Sequence, residues 1–310
     1  MRALITGVSG FVGTFLCEKL IDNGYEVVGL SRTPAQNQNI EYISCDISDP
    51  EKVYNALKNV KPDEIYHLAG SGFIPLSYSR TEETYNTIVN GTLNLYEALR
   101  KLDMDTKVLF VGSAGVYGDG KGTPFTESDL LHPNNPYAGA KACADLISEQ
   151  YARSFNMRII RARPFNHTGP RQSSDFVCSS FAKQISNIEN ERSEHIHVGN
   201  LDVMRDFLDV RDVINAYVLL MKKGKFGEAY NVSSNEAISI SDLLNMLLES
   251  SNIENPLIKV DSNKVRETDA YIRIGDNSKL RLDTGWSPEY KLKNTMIDLL
   301  NYWRDASLNA

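Results

Sequence analysis

The chain has 310 residues, enough for about two domains of roughly 150 residues or one large α/β unit, and its net charge is −7. That charge argues against non-specific attraction to nucleic acid or anionic lipid, so an anionic ligand must be gripped by local groups. Cys17, Cys45, Cys143 and Cys178 lack metal-site spacing, and neither a leader nor an apolar run of the ~18 residues needed to span a bilayer is present, so a soluble cytoplasmic chain with reduced thiols and no metal is expected.

Six apolar runs rich in β-branched residues follow in order: "RALIT" (2–6), "EVVGL" (26–30), "EYISCD" (41–46), "EIYHLAG" (64–70), "KVLFVGS" (107–113) and "MRIIRAR" (157–163). Between them apolar residues recur at three and four, as in Phe11, Phe15, Leu16 and Leu20, or Val53, Leu57 and Val60. Continuous apolar strands alternating with helices predict a parallel, doubly wound sheet of the Rossmann type over residues 1–165.

"TGVSGFVG" follows the first strand and sets Gly7, Gly10 and Gly13 three apart at a helix entry. Without Cβ atoms the backbone can approach a pyrophosphate, whose charge the free N–H groups and the helix dipole stabilise. Phe11 and Val12 begin that helix and join the expected cofactor contacts. The second strand runs into Ser31 and Arg32, where an NAD site normally supplies a carboxylate. A guanidinium suits a 2′-phosphate, so NADPH is the expected cofactor, with NAD the alternative. Asp46, after the third strand, is suited either to the adenine amino group or to capping its own turn. Ile47 beside it, and Leu68, Ala69 and Gly70 after the fourth strand, complete the expected cofactor wall.

"GSAGVYG" (112–118) offers the hydroxyl of Ser113 with Ala114 and Gly115 beside it. "PYAGAK" then places Tyr137 and Lys141 four apart, on one face of a helix entered after Pro136. A phenol is a poor acid at neutral pH, and a neighbouring ammonium together with the nicotinamide charge would stabilise its anion. After residue 165 "PFNHTGPRQ" breaks the rhythm, and a smaller substrate-binding region is expected over 166–310, interleaved with the first because 204–231 returns to it.

The order of these landmarks resembles the extended short-chain dehydrogenase/reductase family over nearly the whole chain. "FNHTGPRQSSDFVCSSFAKQI", "VGNLDVMRDFLDVRDV" and "VRETDAYIRIGDNSKLRLDTGW" resemble its GDP-mannose branch, and within that the reductases that form GDP-D-rhamnose. The resemblance implies that Ser113 holds the C4 oxygen of the sugar, Tyr137 exchanges its proton, and Lys141 binds the nicotinamide ribose and lowers the phenol pKa. It places Asn90 near the active site, Pro164 and Phe165 at the nicotinamide amide, and Asn166 at the substrate. Arg205 and Arg266 match arginines that grip the substrate diphosphate, with Lys183 and Val198 nearby. His167 is read as a structural loop histidine. A homodimer through helices near 84–101 and 137–155 is also implied.

A 4,6-dehydratase needs a further acid and base, and Ala114 and Gly115 stand where that branch has a carboxylate. The loop also departs from the GDP-D-rhamnose-forming reductases, which carry acidic residues at Gly115 and Val116, and "SAGVYG" is closer to 4-epimerases. The expectation is an NADPH-dependent reductase of a nucleotide-linked 4-keto-6-deoxyhexose, GDP-linked by resemblance and feeding polysaccharide synthesis. The expected product is GDP-D-rhamnose or its C4 epimer; the alternative is a 4-epimerase with bound NAD, ahead of a 4,6-dehydratase or a non-catalytic NADP-sensing protein.

Overall fold

In the computed structural model, residues 1–35, 37, 39–70, 72–120, 122–261 and 272–308 are described. The opening apolar run forms β1 (Arg2–Thr6), followed by α1 (Phe11–Asp22), β2 (Glu26–Ser31), β3 (Glu41–Ser44), α2 (Pro50–Val60) and β4 (Glu64–His67). Next come α3 (Ile74–Ser79), α4 (Thr81–Tyr85), a π-helical turn at Asn86–Asn90, α5 (Gly91–Lys101) and β5 (Lys107–Val111). A 3-10 turn at Ala114–Tyr117 precedes α6 (Pro136–Phe155), β6 (Ile159–Pro164) and β7 (Asn166–Thr168). The remainder comprises α7 (Val177–Glu189), β8 (His195–Val198), β9 (Met204–Arg205), β10 (Phe207–Asp209), α8 (Val210–Lys223) and β11 (Ala229–Val232). It closes with β12 (Ile238–Ser239), α9 (Ile240–Leu248), β13 (Leu257–Val260), β14 (Ile272–Arg273), α10 (Ser278–Thr284) and α11 (Leu292–Leu308).

Seven strands form one parallel sheet in the order β11-β6-β5-β4-β1-β2-β3. Strand order reverses between β1 and β4, and ligands of such sheets bind in the crevice beyond the strand C-termini at that point. Three of the predicted strands end earlier than their apolar runs, at Ser44, His67 and Val111. The residues released at the C-terminal edge include the expected cofactor contacts Asp46 and Leu68 to Gly70, and the expected catalytic Ser113. Gly70 has a φ of +140°, which takes the chain out of the sheet there.

One face of the sheet packs on α1 and α8, with Leu16, Leu20, Val213 and Tyr217 buried against Ile5, Leu109 and Ile160. Leu57, Leu95, Ala140 and Ala144 of α2, α5 and α6 cover the other face. A separate core in the second half joins Phe181 and Ile185 of α7, Leu243 and Leu247 of α9, and Met296 and Leu299 of α11. After leaving the sheet through β7 and α7, the chain comes back: β10 pairs with β7, and β11 pairs with β6.

A buried ion cluster fastens α6 to the sheet. Asp145, fully buried, accepts from Arg161 Nη1 at 2.7 Å, Arg163 Nη2 at 2.8 Å and Arg163 Nε at 2.9 Å. Asp145 lies one turn beyond Lys141, so the cluster fixes the helix that carries Tyr137 and Lys141. Among the described residues no helix is long and apolar enough to cross a membrane.

Candidate active site

A cleft of about 1320 Å³ runs along the C-terminal edge of the sheet and into the second half of the chain. It is lined from Gly7 and Arg32 at one end, through Ser113 and Tyr137, to Asn200 and Arg205 at the other. Single small-ligand pockets are about 300–1,000 Å³, so this volume accommodates a dinucleotide and a second ligand together.

The turn between β1 and α1 fits a pyrophosphate. Gly7 has a φ of +75°, a conformation that disfavours any side chain, and its N–H donates to Leu30 O at 2.8 Å. A Cβ on Gly13 would come within 2.8 Å of the Val8 Cα, so only glycine lets α1 start this close to the turn. Gly10 caps α1 without a side-chain bond, and the first helical turn carries no acidic residue, leaving the positive end of the helix open to an anion. Phe11, Val12, Leu68, Ala69 and Gly70 line the same wall.

Arg32 is exposed beyond β2, with its guanidinium 3.4 Å from Glu83 of α4. Ser31 is buried and donates to Thr33 O at 2.7 Å, which shapes the turn that carries Arg32. Asp46 accepts from the Ser48 N–H at 2.9 Å and the Ser48 hydroxyl at 2.7 Å, bonds that hold its carboxyl below the usual range. It therefore caps its own turn while lining the cleft with Ile47.

At the middle of the cleft Ser113 ends the segment after β5. Its Oγ accepts from the Gly115 N–H at 3.1 Å, capping the 3-10 turn, and it lines the cleft together with Tyr137. Burial pushes the Tyr137 pKa up, and the nearby Ser113 hydroxyl opposes that shift. Asn135 caps α6 by accepting from the Ala138 N–H at 2.9 Å, and Pro136 occupies the first helical position, which sets the exit angle of Tyr137. Lys141, 4 % exposed, donates to Val111 O at 2.7 Å, and burial lowers its pKa to about 8. The ammonium therefore sits against the β5 carbonyl, and the influences on the phenol are burial and Ser113.

His67 lies beneath this group. Its Nδ1 meets Thr6 Oγ1 at 2.7 Å and its Nε2 meets Thr92 Oγ1 at 3.0 Å. Thr92 donates to Ile88 O at 2.6 Å, so Nε2 carries the proton and Nδ1 accepts from Thr6. Burial, then Lys141, lowers the His67 pKa to about 3, so the ring stays neutral. Sequence reasoning does not single out His67, although the "HLAG" it belongs to is a landmark.

Pro164 at the end of β6, Phe165 after it and Asn166 at the start of β7 all line the cleft, and Asn166 donates to Asp206 O at 3.2 Å. His167 bonds Phe165 O at 2.9 Å and stacks on Phe11 at 6.3 Å between ring centroids, and burial lowers its pKa. Arg205 also lines the cleft, its Nη1 donating to Met204 O at 2.8 Å.

Three expected positions are not brought to the cleft. Asn90 is exposed and donates to Asn86 Oδ1 at 2.9 Å across the π-helical turn. Lys183 is exposed with its ammonium 5.1 Å from the Trp303 ring centroid. Val198 is fully buried in the second core, while its neighbours His197, Gly199 and Asn200 line the cleft. Arg266 lies outside the described residues. Phe73 and Phe176, which sequence reasoning passes over, face each other across the cleft near Tyr137 with ring centroids 6.4 Å apart.

Comparison with known proteins places this geometry in a family. The family model described as GDP-mannose 4,6 dehydratase matches residues 4–299. The chain belongs to that family. A family member, the GDP-6-deoxy-D-mannose reductase of Pseudomonas aeruginosa, is 32% identical over 97% of both chains. Among solved structures, RMD from Pseudomonas aeruginosa complexed with NADPH superposes with a TM-score of 0.88 at 31% identity, covering 98% of this chain and 99% of that one. The UDP-glucose 4-epimerase of Thermotoga maritima, solved with UDP-glucose, has a TM-score of 0.91 at 27% identity over 99% of this chain and 100% of its own. The likeness extends along the full chain in each case, so family and fold agree with the α/β doubly wound reading.

Proposed function

We propose that this chain is an NADPH-dependent oxidoreductase that reduces the C4 carbonyl of a GDP-linked 4-keto-6-deoxyhexose. The observation that carries the reading is that the Ser113 and Tyr137 hydroxyls share the middle of the cleft with only Ala114 and Gly115 following Ser113. Two hydroxyls hold and protonate a developing alkoxide, and the loop supplies no carboxylate to expel water from C6. Full-length similarity to the Pseudomonas aeruginosa GDP-6-deoxy-D-mannose reductase supports the same substrate class.

NADPH, when bound, supplies the hydride. The Gly7 to Gly13 turn holds its pyrophosphate, Arg32 leaves Glu83 to bind its 2′-phosphate, and Pro164 and Phe165 flank its nicotinamide end. Ser113 keeps the C4 oxygen in place, Tyr137 delivers the proton to that oxygen, and Lys141 positions the ribose and keeps positive charge near the phenol. Asn166 and Arg205 hold the sugar nucleotide, together with Arg266. We read residues 1–165 with 204–231 as the NADP-binding unit and the rest of 166–310 as the substrate-binding unit. The protein would act in the cytoplasm, and the exposed Leu146 and Phe155 on α6 favour a homodimer through α5 and α6.

Incubation with NADPH and GDP-4-keto-6-deoxy-D-mannose tests the reading: absorbance at the NADPH band falls and a GDP-6-deoxyhexose accumulates. Unchanged NADPH would reject it. Likeness to the Thermotoga maritima epimerase favours a second reading, a nucleotide-sugar 4-epimerase with retained NAD. Purified protein that carries NAD through gel filtration and interconverts two sugar nucleotides without net cofactor turnover would establish it.

A further inference from the structure

Phe73 caps the N-terminus of α3 in the first half of the chain, and Phe176 caps α7 in the second. Their rings meet edge to face across the cleft, at an interplanar angle of 69°. A Cβ built on Gly72 would lie 4.0 Å from both the Tyr137 hydroxyl and Phe176 Cζ, so the reacting phenol and the Phe176 edge open onto one gap. Phe176 remains 36% exposed, leaving apolar surface for a ligand to cover.

Resting on the reductase reading, we propose that Phe73 and Phe176 form the wall that receives C6 of the sugar and selects a 6-deoxy over a 6-hydroxy substrate. Covalent geometry supplies the link. At about 1.5 Å per carbon–carbon bond, C6 is held within about 4 Å of the C4 oxygen. A sugar whose C4 oxygen rests on Ser113 and Tyr137 must therefore place C6 among their immediate neighbours. On this side Gly72 and Phe176 border the Tyr137 hydroxyl, Phe73 packs on Phe176, and Ala114 and Gly115 follow Ser113 in its loop. Among the described residues the acids lining the cleft are engaged elsewhere: Asp46 with Ser48, Glu83 with Arg80, and Asp175 with the Ser173 hydroxyl at 2.8 Å. A methyl loses nothing against these rings, whereas a hydroxyl set against them gives up hydrogen bonds to water that the rings cannot replace.

GDP-6-deoxy-D-mannose and GDP-D-mannose differ only by the C6 hydroxyl, and their affinities for the full chain can be compared by calorimetry with NADP⁺ present. An apolar pocket discriminates against an added hydroxyl by up to ~10²-fold. For these partly exposed rings we expect the deoxy sugar to bind about tenfold tighter. Phe73→Ala and Phe176→Ala should each bring that ratio to within about twofold while the affinity for GDP alone stays within about twofold of wild type, a control that a merely disturbed fold would fail. Equal affinity in the wild type, or a ratio unchanged in both variants, overturns the aromatic wall alone. Wild-type protein that binds neither sugar nucleotide overturns the reductase reading and this inference with it.

Discussion

Tyr137 has an environment suited to giving a proton rather than taking one. Burial holds its phenol above the ordinary range, and Ser113 is the group that moderates the effect, so the hydroxyl is protonated at neutral pH and ready for a developing alkoxide. Tyr137→Phe should lower kcat by about 10²–10⁴-fold, the usual contribution of a positioned acid, with NADPH affinity by fluorescence titration unchanged within about twofold. Lys141 sets the alkaline limit. Burial depresses its pKa to about 8, so its charge is present below that pH and is lost above it. Reductase kcat/KM should therefore fall as pH rises through about 8, and Lys141→Arg, whose guanidinium stays charged, should move that limb of the residual activity upward. A profile flat to pH 10 in the wild type would contradict this role. In the proposed reaction Arg32 selects the cofactor, since its exposed pair with Glu83 is easily exchanged for a phosphate. With about 1.5–3 kcal/mol per charged hydrogen bond, Arg32→Ala should weaken NADPH at least tenfold and leave NADH nearly unaffected in paired titrations.

At the scale of elements, α6 carries both Tyr137 and Lys141 and is held by one buried carboxylate. Asp145 is enclosed by Arg161 and Arg163, and Arg163 continues to the Tyr117 hydroxyl at 2.9 Å and Glu127 O at 3.1 Å. Removing one member of a buried ion pair leaves uncompensated charge and costs about 3–5 kcal/mol. Asp145→Ala should therefore lower the urea midpoint strongly, with a loss of that order by linear extrapolation; a change under about 1 kcal/mol would show that the cluster does not anchor the helix. The π-helical turn before α5 explains why Asn90 leaves the site. A π turn adds a residue to the helical repeat, which shifts the phase of the side chains around it, and Asn90 ends on the exposed face bonded to Asn86.

Across the whole molecule, what sequence reveals depends on how far apart the interacting residues lie. The first six strands, the glycine turn and the Tyr137–Lys141 pair depend on local periodicity and spacing, so they are legible before any fold is known. The strand ends, the pairing of β11 with β6 and of β10 with β7, and the meeting of Phe73 with Phe176 join segments roughly forty to a hundred residues apart, and no local pattern encodes them. Arg32 and Glu83 belong to the same class, since the turn that exposes one and the helix that supplies the other share no motif. The cleft is assembled from both kinds of information: local motifs supply its reactive groups, and distant contacts close its walls.

The proposed reaction transfers one hydride to C4 with one proton from Tyr137. That is tested most directly with NADPH carrying deuterium at the transferable position of the nicotinamide, GDP-4-keto-6-deoxy-D-mannose and the full chain, followed by NMR of the sugar product. One deuterium at C4 for each NADPH consumed is the predicted result, and an unlabelled C4 or unconsumed NADPH would contradict it.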